Sequence, residues 1–344
     1  LPVHTGWTAS YAWRHVGEDG ESTDPGQRSC PAPLLGSLST MGWTAVIDQE
    51  LRSTGGVATR AQLLRSVPAT VLDGQVGRGQ LQRVFPHVYA RRGPTTSGPT
   101  LLRAALMHVG DASALSHLTA LHIWGAHPLV HPLHVTIDQQ RRRAGTQGLV
   151  VHRRNGFRIE EHTTEIRGLR VTALPRSLVD AWPLLPVASR RPRLLDLVRA
   201  GSIAAHDVRG ALAERPNVGG HRLLAQAIDL ADDGCQSELE AMGVLSVFRH
   251  RSLPPSVGQF PVLVGGRRLR LDRAWPEVKV AVELDGARFH TDPDARRRDL
   301  ARDAMLAGMG WVVLRFTYAD VLRDPAGVRA RVLAVYATRS AQLR

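Results

Sequence analysis

The sequence predicts a multidomain α/β protein: an N-terminal winged helix-turn-helix, a middle α/β domain and a C-terminal domain of order αβββαβα. Three observations carry this. A helical pattern from Met41 closes on a Gly pair and is followed by two short helices and a hairpin. Helical and strand-like runs then alternate between residues 96 and 230. Beyond residue 235 a continuous apolar, β-branched run, "VKVAVELDG", stands among a hairpin, two further helices and another strand.

The chain has 344 residues, enough for two or three domains, each with its own core. Its net charge is +13 and its pI near 11.2, which suits a polyanionic partner, because clustered Lys and Arg release counterions from phosphate backbones. DNA is the expected partner; Arg richness inherited from a GC-rich genome is the alternative cause. No apolar run approaches the ~18 residues of a membrane span. Two cysteines, Cys30 and Cys235, have neither metal-ligand spacing nor a disulfide framework, so a reducing cytoplasm is expected.

Residues 1–40 are rich in Gly, Ser, Pro and His, without periodicity or a signal-type apolar centre, and read as a disordered or mis-annotated N-terminal extension. Residues 41–95 follow as the winged-helix unit. "WTAVIDQELRSTGG" is an amphipathic helix ended by glycines, "VATRAQLLRS" a short helix capped by Thr59, and "PATVLDGQVGRGQLQRVFPHVYARRG" a third helix from about Thr70 running into a wing that contains Val84, Val88 and Tyr89. In that geometry the third helix enters the major groove. Thr70, Asp73, Gln75 and Arg78 are then the candidates for base edges, and Arg83, Arg91 and Arg92 for phosphates. A structural domain with solvated arginines is the plainer reading.

"GGVATRAQLL…GQLQRVFPHVYARRGP" followed by "ALSHLTALHIWG" resembles the N-terminal part of the AbiEi-like type IV antitoxin family, over residues 41 to about 125 and on to about 185. The resemblance implies a winged helix joined to a second α/β domain, repression of the protein's own transcription as in some members, and a cognate toxin or phage-defence partner.

Between 96 and 230, "TLLRAALMHVG" and "SALSHLTALHIWG" read as helices, "LHVTID", "LVVHRR" and "LRVTAL" as strands, and "PRSLVDAWPLL" as helix again. "HPLVHPLHV" places His127, His131 and His134 close in sequence, but its prolines and the lack of an added carboxylate argue against a zinc site. "QQRRRAGTQG" is a basic loop, either solvated or in contact with phosphate through Arg141, Arg142 and Arg143.

Residues 235–344 carry the richest chemistry. "SELEAMGVLSVFRH" is a helix whose Ser237 and Glu240 form an S-x-x-E capping box. "GQFPVLV", the turn Gly265-Gly266 and "RRLRLDRAW" form a hairpin; "VKVAVELDG" is a central strand; "DPDARRRDLARDAMLAGMG", "WVVLRFTYADV" and "PAGVRARVLAVYATR" complete the order αβββαβα. This is the core order of restriction-endonuclease-like folds. Glu283 and Asp285, two apart on a strand, project to one face, and Asp272 lies across from them if the preceding strand is antiparallel. Three such carboxylates repel unless a cation intervenes, and Mg²⁺ or Mn²⁺ is the expected guest.

"SELE", "LRLDRAW", "VAVELDGARFH", "RRRDLARD" and "GWVVLRFTYADV", in that order, resemble the PD-(D/E)XK nuclease superfamily, and more closely the branch related to the very-short-patch mismatch-repair endonuclease. The resemblance implies that Asp272 and Glu283 are metal ligands, that Glu240 is the helix-borne carboxylate, that His290 is general base or water positioner, and that Asp299 and Arg302 pair or contact phosphate. Asp285 stands where the superfamily has Lys. His290 then takes over that role, or Asp285 is a further ligand, or the domain binds DNA without cutting it. The expected activity is metal-dependent hydrolysis of DNA phosphodiester bonds by an endonuclease or nickase. The alternative is an antitoxin-type transcriptional regulator with an inactive nuclease fold.

Overall fold

A computed structural model describes residues 42–93, 98–285 and 293–344, and residues 43–344 form one unit. The N-terminal extension and His290 lie outside the described residues.

The first segment comprises α1 (Trp43–Ser53), β1 (Val57–Thr59), α2 (Arg60–Ser66), α3 (Ala69–Gly77), β2 (Leu81–Phe85) and β3 (Val88–Arg91). Gly55 and Gly56 take positive φ, and the Gly56 amide donates to the Leu51 carbonyl at 2.6 Å, ending α1. The reversed chain then lies antiparallel to β3, pairing Val57 with Ala90, so the residues leading into the Thr59 cap form a strand in a sheet of order β1-β3-β2. Thr59 and Gln62 cap α2 reciprocally. Ile47, Leu51, Leu63, Leu72, Leu81 and Tyr89 fill the core between helices and sheet.

The middle segment runs α4 (Pro99–Val109), β4 (Ser113–Leu115), α5 (His117–Ile123), β5 (Leu133–Asp138), β6 (Leu149–Arg154), α6 (Ile159–His162), β7 (Thr163–Ile166), β8 (Leu169–Thr172), α7 (Leu174–Ala181), α8 (Val187–Arg199), α9 (Ala205–Ala213) and α10 (His221–Asp232). Its sheet has the order β6-β5-β4-β8-β7. "SALSHLTALHIWG" is not one helix: Ser113, Ala114 and Leu115 are buried in β4, paired antiparallel with β5, and the helix begins only at His117. Tertiary pairing overrides helical propensity there.

The C-terminal segment runs α11 (Glu238–Gly243), a π-helical turn over Val244–Phe248, β9 (Val257–Val264), β10 (Arg267–Trp275), β11 (Val280–Asp285), α12 (Pro293–Gly308), β12 (Val312–Thr317), α13 (Tyr318–Arg323) and α14 (Pro325–Gln342). The αβββαβα order is present, with α13 inserted before the last helix. The sheet order is β12-β11-β10-β9; β11 and β12 are parallel, joined through α12, and the other pairs are antiparallel. Strand β11 is covered on both faces. Val280, Val282 and Leu284 pack toward α11 and α14, and Ala281 packs with Leu306 of α12 and Trp311. The first of these cores extends without a break from Leu121 of α5 to Val332 of α14, so the middle helices and the C-terminal sheet share one apolar interior. Among the described residues no helix is long and apolar enough to cross a membrane.

Candidate active site

The hairpin register places the acidic residues. Antiparallel pairing of Arg273 with Val282 and Ala274 with Ala281 sets Asp272 beside Glu283 one step further along. The Leu284 amide donates to Asp272 Oδ2 at 2.9 Å, fixing that carboxylate against β11. Glu283 points to the α12 face and is buried, 6% exposed. There Arg302 donates from Nη2 to Glu283 Oε1 at 2.7 Å and to the Arg270 carbonyl at 3.0 Å. The Arg302 Nε is buried without a hydrogen-bond partner among the described residues.

From the opposite side α11 contributes Glu240. Ser237 caps this helix by accepting from the Glu240 amide at 3.2 Å, as its capping-box spacing predicts, and its hydroxyl also donates to Glu240 Oε1 at 2.8 Å. The other carboxylate oxygen accepts from the Gln236 amide and from Gln259 Nε2, each at 3.0 Å. The same Gln259 nitrogen lies 3.3 Å from Asp272 Oδ1. Gln259 thus links Glu240 to Asp272. It was not among the expected site residues, although counting from the Gly pair reveals it: Gln259 is as far before Gly265 as Asp272 is after Gly266.

Burial sets the electrostatics. It raises the carboxyls of Asp272 and Glu240, against the hydrogen bonds that favour their charged forms. Burial, with the adjacent Asp272 carboxylate, pushes Glu283 up to about 7, although Arg302 and Arg315 oppose the shift. A carboxyl at that value exchanges a proton near neutrality.

Asp285 behaves differently. It is exposed, and its carboxylate accepts from Arg315 Nη1 at 3.2 Å, while Arg315 Nη2 donates to Asp303 at 2.8 Å. Parallel pairing sets Arg315 level with Glu283, which explains its reach to Asp285 on the same face. Among the described residues no three His, Cys, Asp or Glu side chains converge as metal ligands, so the expected triple of Asp272, Glu283 and Asp285 does not close on one point. Asp285 is drawn to Arg315 instead. Asp299 is exposed on α12.

In the first segment Thr70 is exposed on α3 and Arg78 just beyond its C-terminal end, and Arg83 is exposed on β2 with its guanidinium 5.9 Å from the Tyr89 ring centre. Gln75 corrects the expectation. It is buried, within 3.4 Å of the Thr44 hydroxyl and 3.5 Å of Arg91, because its position on α3 faces α1 rather than solvent. Arg91 is likewise occupied, donating to Asp48 at 2.6 Å, and Asp73 is exposed but bound by Arg60 at 2.7 Å.

His127, His131 and His134 do not converge. His127 lies at its neighbour's carbonyl, His131 is exposed, and His134 is buried in β5 with its Nδ1 2.9 Å from His152 Nε2. His152 stacks on His117 with ring centres 3.7 Å apart. A histidine cluster exists, but pairing of β5 with β6, not sequence proximity, assembles it.

The chain is 30% identical over 268 residues to the uncharacterized proteins Rv2248 and MT2308 of two Mycobacterium tuberculosis strains, spanning 76% of this chain and 94% of each relative. The chain belongs to that protein family. Within it, residues 262–335 match the restriction endonuclease-like family REase_MTES_1575. An uncharacterized Haemophilus influenzae protein is 40% identical over 48 residues, 14% of this chain and 39% of that protein. The restriction endonuclease-like match contains Asp272, Glu283, Arg302 and Arg315, whereas Glu240 and Gln259 precede it. In this chain Glu240 and Gln259, from outside the matched segment, therefore join Asp272 from within it.

Proposed function

We propose that the chain is a metal-dependent DNA endonuclease or nickase that hydrolyses phosphodiester bonds, aimed by its N-terminal segment acting as a winged helix. The observation that carries this is the juxtaposition of Asp272 and Glu283 inside the restriction endonuclease-like match, Glu283 buried and Asp272 half-buried, both with raised pKa. Two adjacent carboxyls whose ionisation is opposed, Asp272 chiefly by desolvation and Glu283 by desolvation and by the Asp272 charge, fit a divalent cation, and Mg²⁺ needs only one or two carboxylates beside water and phosphate oxygens. Asp272 and Glu283 would hold Mg²⁺ or Mn²⁺, which when bound supplies neutralising charge at a phosphate and a more acidic water.

The chain's own residues do the rest. Glu240 and Gln259 hold Asp272 in place. Arg302 brings positive charge beside Glu283, suited to a phosphate oxygen, and Arg315 brings positive charge to the position where Asp285 replaces Lys. His290 remains the candidate general base or water positioner, on the resemblance to the mismatch-repair branch. Thr70 and Arg78 are proposed to reach base edges and Arg83 and Arg92 to contact phosphates.

A second reading is an AbiEi-like antitoxin-type regulator whose nuclease fold is inactive, in a toxin–antitoxin or phage-defence setting with a cognate toxin. It is favoured by Asp285 at the Lys position and by the closure of Arg302 on Glu283. Supercoiled plasmid incubated with Mg²⁺ or Mn²⁺ separates the two. Nicking or linearisation by the wild type, lost in Asp272→Ala and Glu283→Ala, supports the nuclease; equal cleavage by all three proteins sinks the assignment. Sequence-specific binding weakened by Arg78→Ala, with no metal-dependent product, supports the regulator.

A further inference from the structure

A second basic feature lies away from the carboxylates, in the middle segment. Strands β5 and β6 are adjacent and parallel, yet only residues 139–148 connect them, without a helix. The connection leaves beside Arg154, whose carbonyl accepts from the Gln139 amide, and returns beside Leu133, whose amide donates to the Gly148 carbonyl. It must therefore run back along the whole length of the strand pair at the edge of the sheet, since β6 is an edge strand. Arg141, Arg142 and Arg143 sit at its start, all exposed. None of their guanidinium groups has a carboxylate partner among the described residues, in contrast to Arg60, Arg91, Arg158 and Arg209, which are all ion-paired.

The three arginines line a cavity of about 750 Å³ floored by Ile137 and Val109. A second cavity of about 540 Å³ carries Arg52 from the end of α1 and Arg103 from α4. The two share Gly110, Asp111 and Arg170 and so form one trough. Arg170 is anchored at the junction by donating to the Asp111 carbonyl, which fixes its charge in place. Asp111, Glu160 and Glu165 also line the trough, leaving the six arginines in excess by three charges. Two adjoining depressions that share a wall and carry a surplus of arginines, partly fixed and partly free, suit a row of phosphates rather than one compact anion.

We infer that this trough, with Arg141, Arg142 and Arg143 as its free cations, binds the phosphate backbone of duplex DNA at a site separate from the nuclease-like carboxylates. The inference rests on DNA as the chain's ligand but not on cleavage. Backbone contact is blind to sequence, so the trough supplies affinity while α3 or the nuclease-like site supplies selection.

Fluorescence anisotropy on the full chain with a labelled 25-base-pair duplex, repeated across salt concentrations, tests it. Replacing Arg141, Arg142 and Arg143 by Ala should flatten the slope of log affinity against log salt by about 2–3, at ~0.9 for each phosphate no longer neutralised. Affinity should fall by similar factors on unrelated duplex sequences. Replacing all three by Lys should retain most of the slope, and the single reversal Arg142→Glu should weaken binding on every duplex. An unchanged slope in the Ala protein overturns the inference. So does AMP binding that the Ala protein loses while its duplex slope stays at the wild-type value, since the trough would then take a free nucleotide. Glu283→Gln distinguishes the two readings. If wild type cleaves, Glu283→Gln does not, and the Ala protein keeps the wild-type slope, the trough fails and the nuclease stands. If nothing cleaves but the Ala protein loses slope, the nuclease fails and the trough stands.

Discussion

Arg302 donates to Glu283 Oε1 at 2.7 Å across the gap between α12 and β11, placing a guanidinium against a carboxyl that burial holds near neutrality. Removing one partner of such a pair leaves the other without compensation. Arg302→Ala should destabilise the fold by about 3 kcal/mol at pH 8, measured by urea unfolding, and by much less at pH 5, where Glu283 is protonated. An equal loss at both pH values would show that Arg302 acts through packing rather than charge.

Glu283 itself should make stability depend on pH. Its folded pKa, about 7, lies above its ordinary value of 4.5. The folded state therefore binds more protons than the unfolded state between these limits, and stability falls as pH rises through them. Glu283→Gln should remove part of this fall and raise stability at pH 8 by roughly 2–3 kcal/mol. Melting temperatures from pH 4.5 to 8 check it; parallel profiles for the two proteins would refute it. Asp272 and Glu240 are raised too, so a residual slope of the same sign is expected.

A divalent cation should reverse that penalty. Above pH 7, millimolar Mg²⁺ or Mn²⁺ should raise the melting temperature of the wild type and EDTA should return it, because a ligand of the folded state stabilises it by mass action. Asp272→Asn and Glu283→Gln should both lose the effect. A metal-induced shift that survives in both variants would place the ion elsewhere.

Gln259 is the shared donor between Glu240 and Asp272, and it sits at φ 47. Gln259→Leu keeps the bulk but removes the donor from two half-buried carboxylates. It should cost about 1–3 kcal/mol in stability. If the nuclease reading holds, it should also lower metal affinity or cleavage by about 10–100-fold, the range for residues that orient a ligand. Wild-type stability together with wild-type cleavage would remove Gln259 from the site.

The histidine cluster should give the middle segment the opposite pH response. His152 is held down at about 4 and His117 well below its ordinary value, in both cases chiefly by burial and then by each neighbour's charge, with Arg154 and Arg215 adding and Asp180 opposing at His152. His134 is lowered by burial. The unfolded chain therefore binds more protons between about pH 6.5 and 4, and this contribution to stability is lost as pH falls through that window. His152→Gln should recover roughly 2 kcal/mol at pH 4.5, after allowance for the ring's partial exposure. Acid unfolding followed by intrinsic fluorescence checks it, and an unaltered acid limb would count against the cluster.

The sequence by itself determined the elements with strong periodicity or strong punctuation. The Gly-closed first helix, the Thr59 cap, the Gly265-Gly266 hairpin and the doubly apolar β11 all follow from local chemistry, and the strand period alone put Glu283 and Asp285 on one face. Tertiary structure decided what depends on pairing between distant segments. Ser113–Leu115 became a strand because β5 offered it partners, and Gln75 turned inward because α1 covers that side of α3. His134 found His152 rather than its neighbours in sequence. The fates of Asp285 and Glu283, two residues apart on one strand, were settled by which arginine reached each of them, Arg315 from β12 and Arg302 from α12. A carboxylate's burial and its counter-charge come from chain segments that local sequence does not specify, and those two quantities fix its pKa and therefore its chemistry.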